Sequence, residues 1–183
     1  MPFLSVITRH LAGRIELLKR NRESLAAQTD PDYEQITMAD EIGRGFGHAH
    51  DLLIQALPFV HGDYVLILDD DDFIQAADMI ETLKAITLTK PPIVIFRGLH
   101  ADFGILPSYS WGQAPKLGDV GCFDFIMRAD VFREFVKVTS ANAYAHDYFI
   151  LAAAFERHGS KTAWLDKVMC AADRRRNGAI ADA

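Results

Sequence analysis

Four consecutive aspartates, Asp69-Asp70-Asp71-Asp72, follow directly on the apolar run Tyr64-Val65-Leu66-Ile67-Leu68. Carboxylates packed this closely repel one another, which raises their proton affinity unless a cation joins them. Hard oxygen ligands at this density suit Mg2+ or Mn2+ rather than a soft metal. Residues two apart in extended chain point the same way, so Asp69 and Asp71 are expected to converge on one ion. Asp72 is the residue best placed to N-cap a following helix. A solvated turn with a helix cap accounts for one or two aspartates, and poorly for four behind so apolar a run. Halide- or phosphate-transferring enzymes with an aspartate nucleophile also carry Asp-x-Asp behind a strand. They carry it behind the first strand of their fold, whereas here it follows the third, which counts against that class.

The elements that must position this cluster alternate along the chain. Phe3–Thr8 reads as a buried strand and 13–28 as a helix with Ile15, Leu17, Leu18, Leu25 and Ala26 on its apolar side. Tyr33–Ala39 is a second strand, with Asp40 just past its end. Gly43-Arg44-Gly45-Phe46-Gly47 is not a dinucleotide fingerprint and serves to turn the backbone into a helix that Pro58 ends. Tyr64–Leu68 is the third strand, Gln75–Leu88 a helix stopped by Pro91-Pro92, and Ile93–Phe96 the fourth strand. This β-α-β-α-β-α-β order predicts an α/β domain with a mainly parallel central sheet and helices on both faces. In such a sheet ligands bind outside the carboxyl ends of the strands, which is where the aspartates fall. Beyond residue 98 the period weakens. Residues 99–119 read as a long loop or irregular hairpin, followed by a strand over Cys122–Met127, a short helix over Asp130–Val136, a helix over Tyr144–His158 and a strand over Thr162–Met169.

Composition narrows the class. A length of 183 residues predicts one domain, 1–183, and the 24% charged content is that of a globular protein. The formal net charge of −6 argues against a nucleic-acid partner, which needs a basic face. Cys122 and Cys170 lie in no metal-ligand spacing, so neither a disulfide framework nor a structural zinc site is expected. No apolar run approaches the ~20 residues that cross a bilayer, and the N-terminal stretch lacks a basic signal-peptide start. The expected setting is cytoplasmic.

Taken with its surroundings, the aspartate cluster resembles a known family. The segment Gly62-Asp63-Tyr64-Val65-Leu66-Ile67-Leu68-Asp69-Asp70-Asp71-Asp72 is similar to the strand and DxD motif of family-2 glycosyltransferases with the GT-A fold, part of the nucleotide-diphospho-sugar transferase superfamily. Leu4–Thr8, then Leu17-Leu18-Lys19-Arg20-Asn21 and Ser24-Leu25-Ala26-Ala27-Gln28-Thr29, resemble its opening strand and first helix. Tyr33-Glu34-Gln35-Ile36 leading to Asp40 resembles its second strand. Asp147 followed by Arg157-His158-Gly159 resembles the helix that carries its catalytic base, with His146 standing where that family has Glu.

The resemblance implies metal-dependent, inverting transfer of a sugar from a nucleotide-diphosphate sugar to an acceptor hydroxyl. Asp69 and Asp71 would hold Mn2+ or Mg2+, and Asp147 would be the base. His146 ranks second, because a helical neighbour points about 100° away. Thr8, Asp40 and Asp69 would meet the nucleotide, and Arg174 and Arg176 would close on the diphosphate unless that basic run is only a solvated tail. Residues 1–98 would form the nucleotide-binding half, and 99–183 the acceptor side and tail.

His48 and His50 diverge on a helix and read as surface or loop histidines. Tyr109 and Trp111 suit either a sugar-stacking platform or a loop anchor. The competing class is a non-catalytic module that binds a nucleotide sugar or a protein on the same scaffold. A nucleotidyltransferase fits less well, because Thr8-Arg9-His10-Leu11-Ala12-Gly13-Arg14 is a poor match for its glycine-rich loop.

Overall fold

The structure, a computed structural model of the chain, describes residues 1–137 and 145–172. Strand β1 (Leu4–Leu11) lies between β2 (Tyr33–Asp40) and β3 (Tyr64–Ile67), parallel to both, with Leu4 in register with Tyr33 and Tyr64. Every residue of β3 and nearly every residue of β1 is buried, so their near-continuous apolar sequence reflects cover on both faces. Helix α1 (Ile15–Ala26) makes the crossover to β2 and buries Leu18, Asn21 and Leu25, spaced to fall on one face. Helix α2 (Phe46–Ala56) returns toward β3 and starts from Gly45 at φ +82°, a backbone state open to glycine. Gly62 lets β3 dock on β1. Its N–H donates to Ser5 Oγ at 2.8 Å, and a Cβ there would lie 2.6 Å from the Ser5 backbone nitrogen.

The remaining elements are β4 (Asp72–Ile74), α3 (Met79–Ile86), β5 (Ile93–His100), β6 (Gly104–Leu106), β7 (Phe125–Arg128), α4 (Ala129–Phe135), α5 (His146–His158) and β8 (Ala163–Ala172). The sheet order is β2-β1-β3-β7-β5-β8-β4, with β6 paired to β5. The sheet is mixed rather than mainly parallel. Strand β7 runs antiparallel between β3 and β5, β4 runs antiparallel to β8, and β5 and β8 are parallel. The chain leaves β5 through the β6 hairpin and residues 107–124 with no crossover helix. It therefore re-enters the sheet from the end it left, and an antiparallel strand results. Phe125, Ile126 and Met127, all buried, fill that central position.

Two further expectations shift. Asp72 caps no helix: it opens β4, which pairs with β8 through Asp72 opposite Ala172, and the helix begins only at Met79. His50 is not a surface residue. It is buried on the face of α2 that also carries Leu53, with its ring edge-on to His146 at 5.4 Å between centroids.

Candidate functional site

The carboxyl ends of β1, β3 and β5 open on one cleft of about 580 Å³. The turn after β3 is pinned to the end of β1, with Leu68 N–H donating to Ile7 O at 3.0 Å and Asp70 N–H to Arg9 O at 3.1 Å. A buried amide from α1 secures it from below. Asn21 Nδ2 donates to the carbonyls of both Asp69 and Asp72 at 2.9 Å, and Gln35 Nε2 holds Asn21 Oδ1 at 2.7 Å. With the backbone fixed in this way, the aspartate side chains divide between two groups of partners: Asp70 and Asp71 meet Arg14, while Asp69 and Asp72 meet Cys122.

Asp69 receives a bidentate guanidinium, from Arg9 Nε at 2.6 Å and Nη2 at 2.7 Å. The same Arg9 reaches both oxygens of Asp147 at 3.3 Å and donates from Nη1 to His146 Nε2. Burial alone would lower the pKa of Arg9, but Asp147 and Asp69 reverse this and hold it well above the ordinary guanidinium value. Asp147 sits in the first turn of α5, where the helix dipole favours an anion. Burial would raise its pKa; the charge of Arg9 and the contact with His146 overcome that and hold the carboxyl far below its usual range. Asp70 is buried and accepts from His10 Nδ1 at 2.9 Å, Leu11 N–H at 2.9 Å and Arg14 Nη1 at 3.2 Å. Asp71 faces Arg14 at 3.4 Å.

Asp72 points inward beside Cys122, whose Sγ lies 3.7 Å from Asp72 Oδ2 and 3.9 Å from Asp69 Oδ2. Burial, then the charges of Asp69 and Asp71, push the Asp72 carboxyl well up, and burial does the same to the Cys122 thiol. Donor atoms of Asp69, Asp72 and Cys122 all fall within 4.8 Å of one another, forming a group that could hold a metal ion. Asp69 and Asp72 bring hard oxygens within reach of one divalent cation, with the softer Cys122 sulfur beside them, provided that Asp69 releases a bond to Arg9.

The other residues singled out from sequence are distributed unevenly. Asp40 lines the cleft, but its carboxylate is occupied by the N–H groups of Ile42, Gly43 and Arg44 at 2.7–3.2 Å. Burial would raise its pKa; those N–H groups and His48 bring it below the ordinary value. Thr8 is fully buried, accepts from Gln35 Nε2 at 2.8 Å and is not part of the cleft lining. Arg174 and Arg176 lie outside the described residues. Trp111 anchors its loop, under the Arg97 guanidinium at 3.7 Å and edge-on to Trp164 at 5.0 Å. Sequence reasoning passed over Arg9 and His10 as site residues, although two polar side chains within an apolar strand were a signal. It had none for Cys122.

No family model matches the sequence, and no curated protein matches it. Solved structures do match. A crystal structure of S. aureus TarS 1–349 in complex with UDP-GlcNAc superposes with a TM-score of 0.71 at 14% identity, covering 100% of this chain and 61% of that one. The mannosyltransferase PcManGT from Pyrobaculum calidifontis, in complex with GDP-Man and Mn2+, gives 0.69 at 14% identity over 97% of this chain and 58% of that one. A glycosyltransferase involved in glycosylation of the major capsid of PBCV-1 gives 0.59 at 15% identity, covering 93% and 92%. The chain thus spans about three fifths of the first two structures and nearly all of the third. Among the described residues no helix is long and apolar enough to cross a membrane. With an α/β single domain, a mixed sheet and a cleft at the carboxyl ends of its strands, the chain shares the fold of these glycosyltransferases.

Proposed function

We propose that the chain transfers a sugar from a nucleotide-diphosphate sugar to an acceptor hydroxyl, inverting the anomeric carbon, with a divalent ion, Mn2+ or Mg2+, at the donor phosphates. The observation that carries this reading is the meeting of the Asp69 turn and the Asp147 helix end around one guanidinium, in a cleft large enough for a nucleotide sugar. The chemistry needs positive charge where the diphosphate departs and a proton acceptor on the other face of the sugar. Asp69, with Asp72 and Cys122 beside it, would hold the ion, which when bound offsets the charge of the departing diphosphate. Arg14, held by Asp70 and Asp71, offers a guanidinium at the cleft wall for the phosphate oxygens. Arg174 and Arg176 would add to this charge from the tail. Asp40 serves the nucleotide side by fixing the 42–44 turn, and Thr8 by fixing Gln35 and through it the aspartate turn. Residues 1–98 form the donor half in this reading, and 99–183 the acceptor half.

A second reading draws on one specific observation. Arg9 already pairs with both Asp69 and Asp147, as befits a module that binds a nucleotide sugar without turning it over. A panel of UDP, GDP, ADP and CDP with and without Mn2+, read by thermal melting, tests the ligand class. A ligand at 100 times its Kd adds about 2.7 kcal/mol of stability. Metal-dependent stabilisation by one nucleotide supports donor binding, and release of that nucleotide from its sugar conjugate separates the enzyme from the module. No stabilisation by any of the four overturns both readings.

A further inference from the structure

A second cavity, of about 540 Å³, opens at the end of the sheet away from the aspartate turn. Its walls are the Lys90-Pro91-Pro92 turn that leads into β5, Arg128 at the end of β7, and His158 and Lys161 at the far end of α5. Arg128 pairs with Tyr64, the first residue of β3, so the cavity lies at the amino ends of strands whose carboxyl ends form the cleft. Lys90, Arg128 and Lys161 bring three positive charges to it. One carboxylate offsets them: Asp130 accepts from Arg128 Nε at 2.6 Å and Nη2 at 2.8 Å. Lys90 and Lys161 are exposed, and their ammonium groups have no carboxylate partner among the described residues. The cavity therefore holds a surplus of two positive charges in a chain whose net charge is −6. The carboxyl end of α5 contributes only about half a negative charge against them. The backbone of the turn is also held in an unusual state. Lys90, at φ +53°, is the only non-glycine residue with positive φ among the described residues, a strained conformation for an L-residue. Its N–H donates to Thr87 O at 2.8 Å, Arg128 Nη1 donates to its carbonyl at 3.1 Å, and the Tyr64 hydroxyl donates to Pro91 O at 2.9 Å. These bonds keep Lys90 and Arg128 on one wall.

We propose that this cavity binds a phosphate group, at a site separate from the cleft and independent of the transferase reading. A surplus of two positive charges matches a phosphate dianion, whereas a carboxylate would leave one cation unmatched. Arg128 spends three of its five N–H groups on Asp130 and the Lys90 carbonyl, and two remain for phosphate oxygens. The two ammonium groups add mobile point charges on flexible stems, which close on an anion from either side. The His158 ring, edge-on to Phe135 at 6.0 Å between centroids, offers a further N–H. A volume of about 540 Å³ falls within the range of small-molecule pockets, about 300–1,000 Å³, so the phosphate arrives attached to a larger group. A soluble phosphorylated compound and a phospholipid headgroup both present this chemistry. Helix α5 spans from Asp147, which lines the cleft, to His158, which lines this cavity, so an anion bound here rests on the same rigid element as the cleft.

The test titrates the whole labelled chain with inorganic phosphate at constant ionic strength and follows it by 1H–15N NMR. Saturable shifts are expected at Lys90, Arg128, His158 and Lys161, and chloride at the same ionic strength is expected to produce none. Combining Lys90→Gln with Lys161→Gln is expected to weaken the Kd read from these shifts about tenfold or more, as befits the loss of charged hydrogen-bond donors. Lys90→Gly removes the charge and relaxes the backbone at φ +53°. It is expected to weaken binding while keeping Tm at or above that of the wild type, which separates a lost contact from a lost fold. Cosedimentation with phosphatidylcholine vesicles, with and without phosphatidic acid, distinguishes the two sources. Capture by the phosphatidic acid vesicles alone, abolished in the double variant, makes the ligand a lipid headgroup. Saturable phosphate shifts without capture make it a soluble compound. The proposal is overturned if phosphate gives no saturable shift at these residues, if chloride gives the same shifts, or if the double variant binds phosphate as the wild type does.

Discussion

Arg9 governs how charge is distributed in the cleft, and its removal has two separable consequences. In Arg9→Met, Asp69 and Asp147 face each other with the guanidinium gone, and breaking a buried pair in this way costs about 3–5 kcal/mol. The pH dependence has a fixed sign. The folded-state value of Asp147 is depressed, so its contribution is present above the ordinary carboxylate value near ~3.9 and is lost as pH falls through the folded value. The loss in Arg9→Met is therefore expected to be largest at neutral pH and to shrink in acid, as urea melts across that range will record. A loss that is constant with pH would mean that packing, not charge, holds Arg9. The second consequence concerns metal. Arg9 and a divalent ion compete for Asp69, so Arg9→Met is expected to bind Mn2+ at least tenfold tighter by calorimetry, a gain of about 1.4 kcal/mol. Affinity that falls or stays level would separate Arg9 from the ion site. At this scale the sequence was legible in part. Asp69 and Asp147 could be found because their neighbours form ordered motifs. The guanidinium that joins them could not, because strand β1 meets helix α5 only in the folded sheet.

The loop between β6 and β7 owes its shape to one buried carboxylate. Asp119 Oδ1 accepts from Ser108 N–H and Oγ at 2.9 and 3.0 Å, and Oδ2 accepts from Ser110 N–H and Oγ at 2.8 and 2.5 Å. Burial would raise its pKa; these four donors bring the carboxyl below its ordinary value, so the contribution is again present above pH ~4 and lost in acid. An Asn here turns an NH2 toward donors that need acceptors, and Asp119→Asn is expected to cost about 1–3 kcal/mol. The same variant should open residues 107–120 to hydrogen exchange while the strands stay protected. Exchange that rises equally everywhere would show that the loop and the sheet open together. This region was the least legible element from sequence, because its order comes from a side chain accepting from backbone and hydroxyl groups rather than from a hydrophobic period. Asp72 makes the same point from the other side. Local propensity made it a helix cap, and pairing with residue 172, a hundred positions away, made it a strand residue.

Across the molecule, the alternation of short apolar runs and helical segments was enough to read an α/β domain with parallel strands, as β2, β1 and β3 are. It could not reveal that β7 is threaded between β3 and β5, since that placement depends on the direction in which a helix-free excursion re-enters the sheet. The insertion matters because β7 is the sheet's link between the β2-β1-β3 wall and the β5-β8-β4 wall. Ile126, fully buried, pairs with Leu66 on one side and Val94 on the other. Ile126→Ala leaves a cavity at that seam and is expected to cost about 2–5 kcal/mol. For a chain of this size each kcal/mol lowers Tm by roughly 2–4 °C. If β7 makes the two walls one cooperative unit, the variant melts in a single transition at the lower temperature, and tryptophan fluorescence and far-UV circular dichroism give the same midpoint. Trp111 and Trp164 both lie toward β5 and β8, so fluorescence follows that wall while circular dichroism follows the whole sheet. Two separated midpoints would make the walls independent folding units, and the cleft between them would then be free to change width when β7 is weakened.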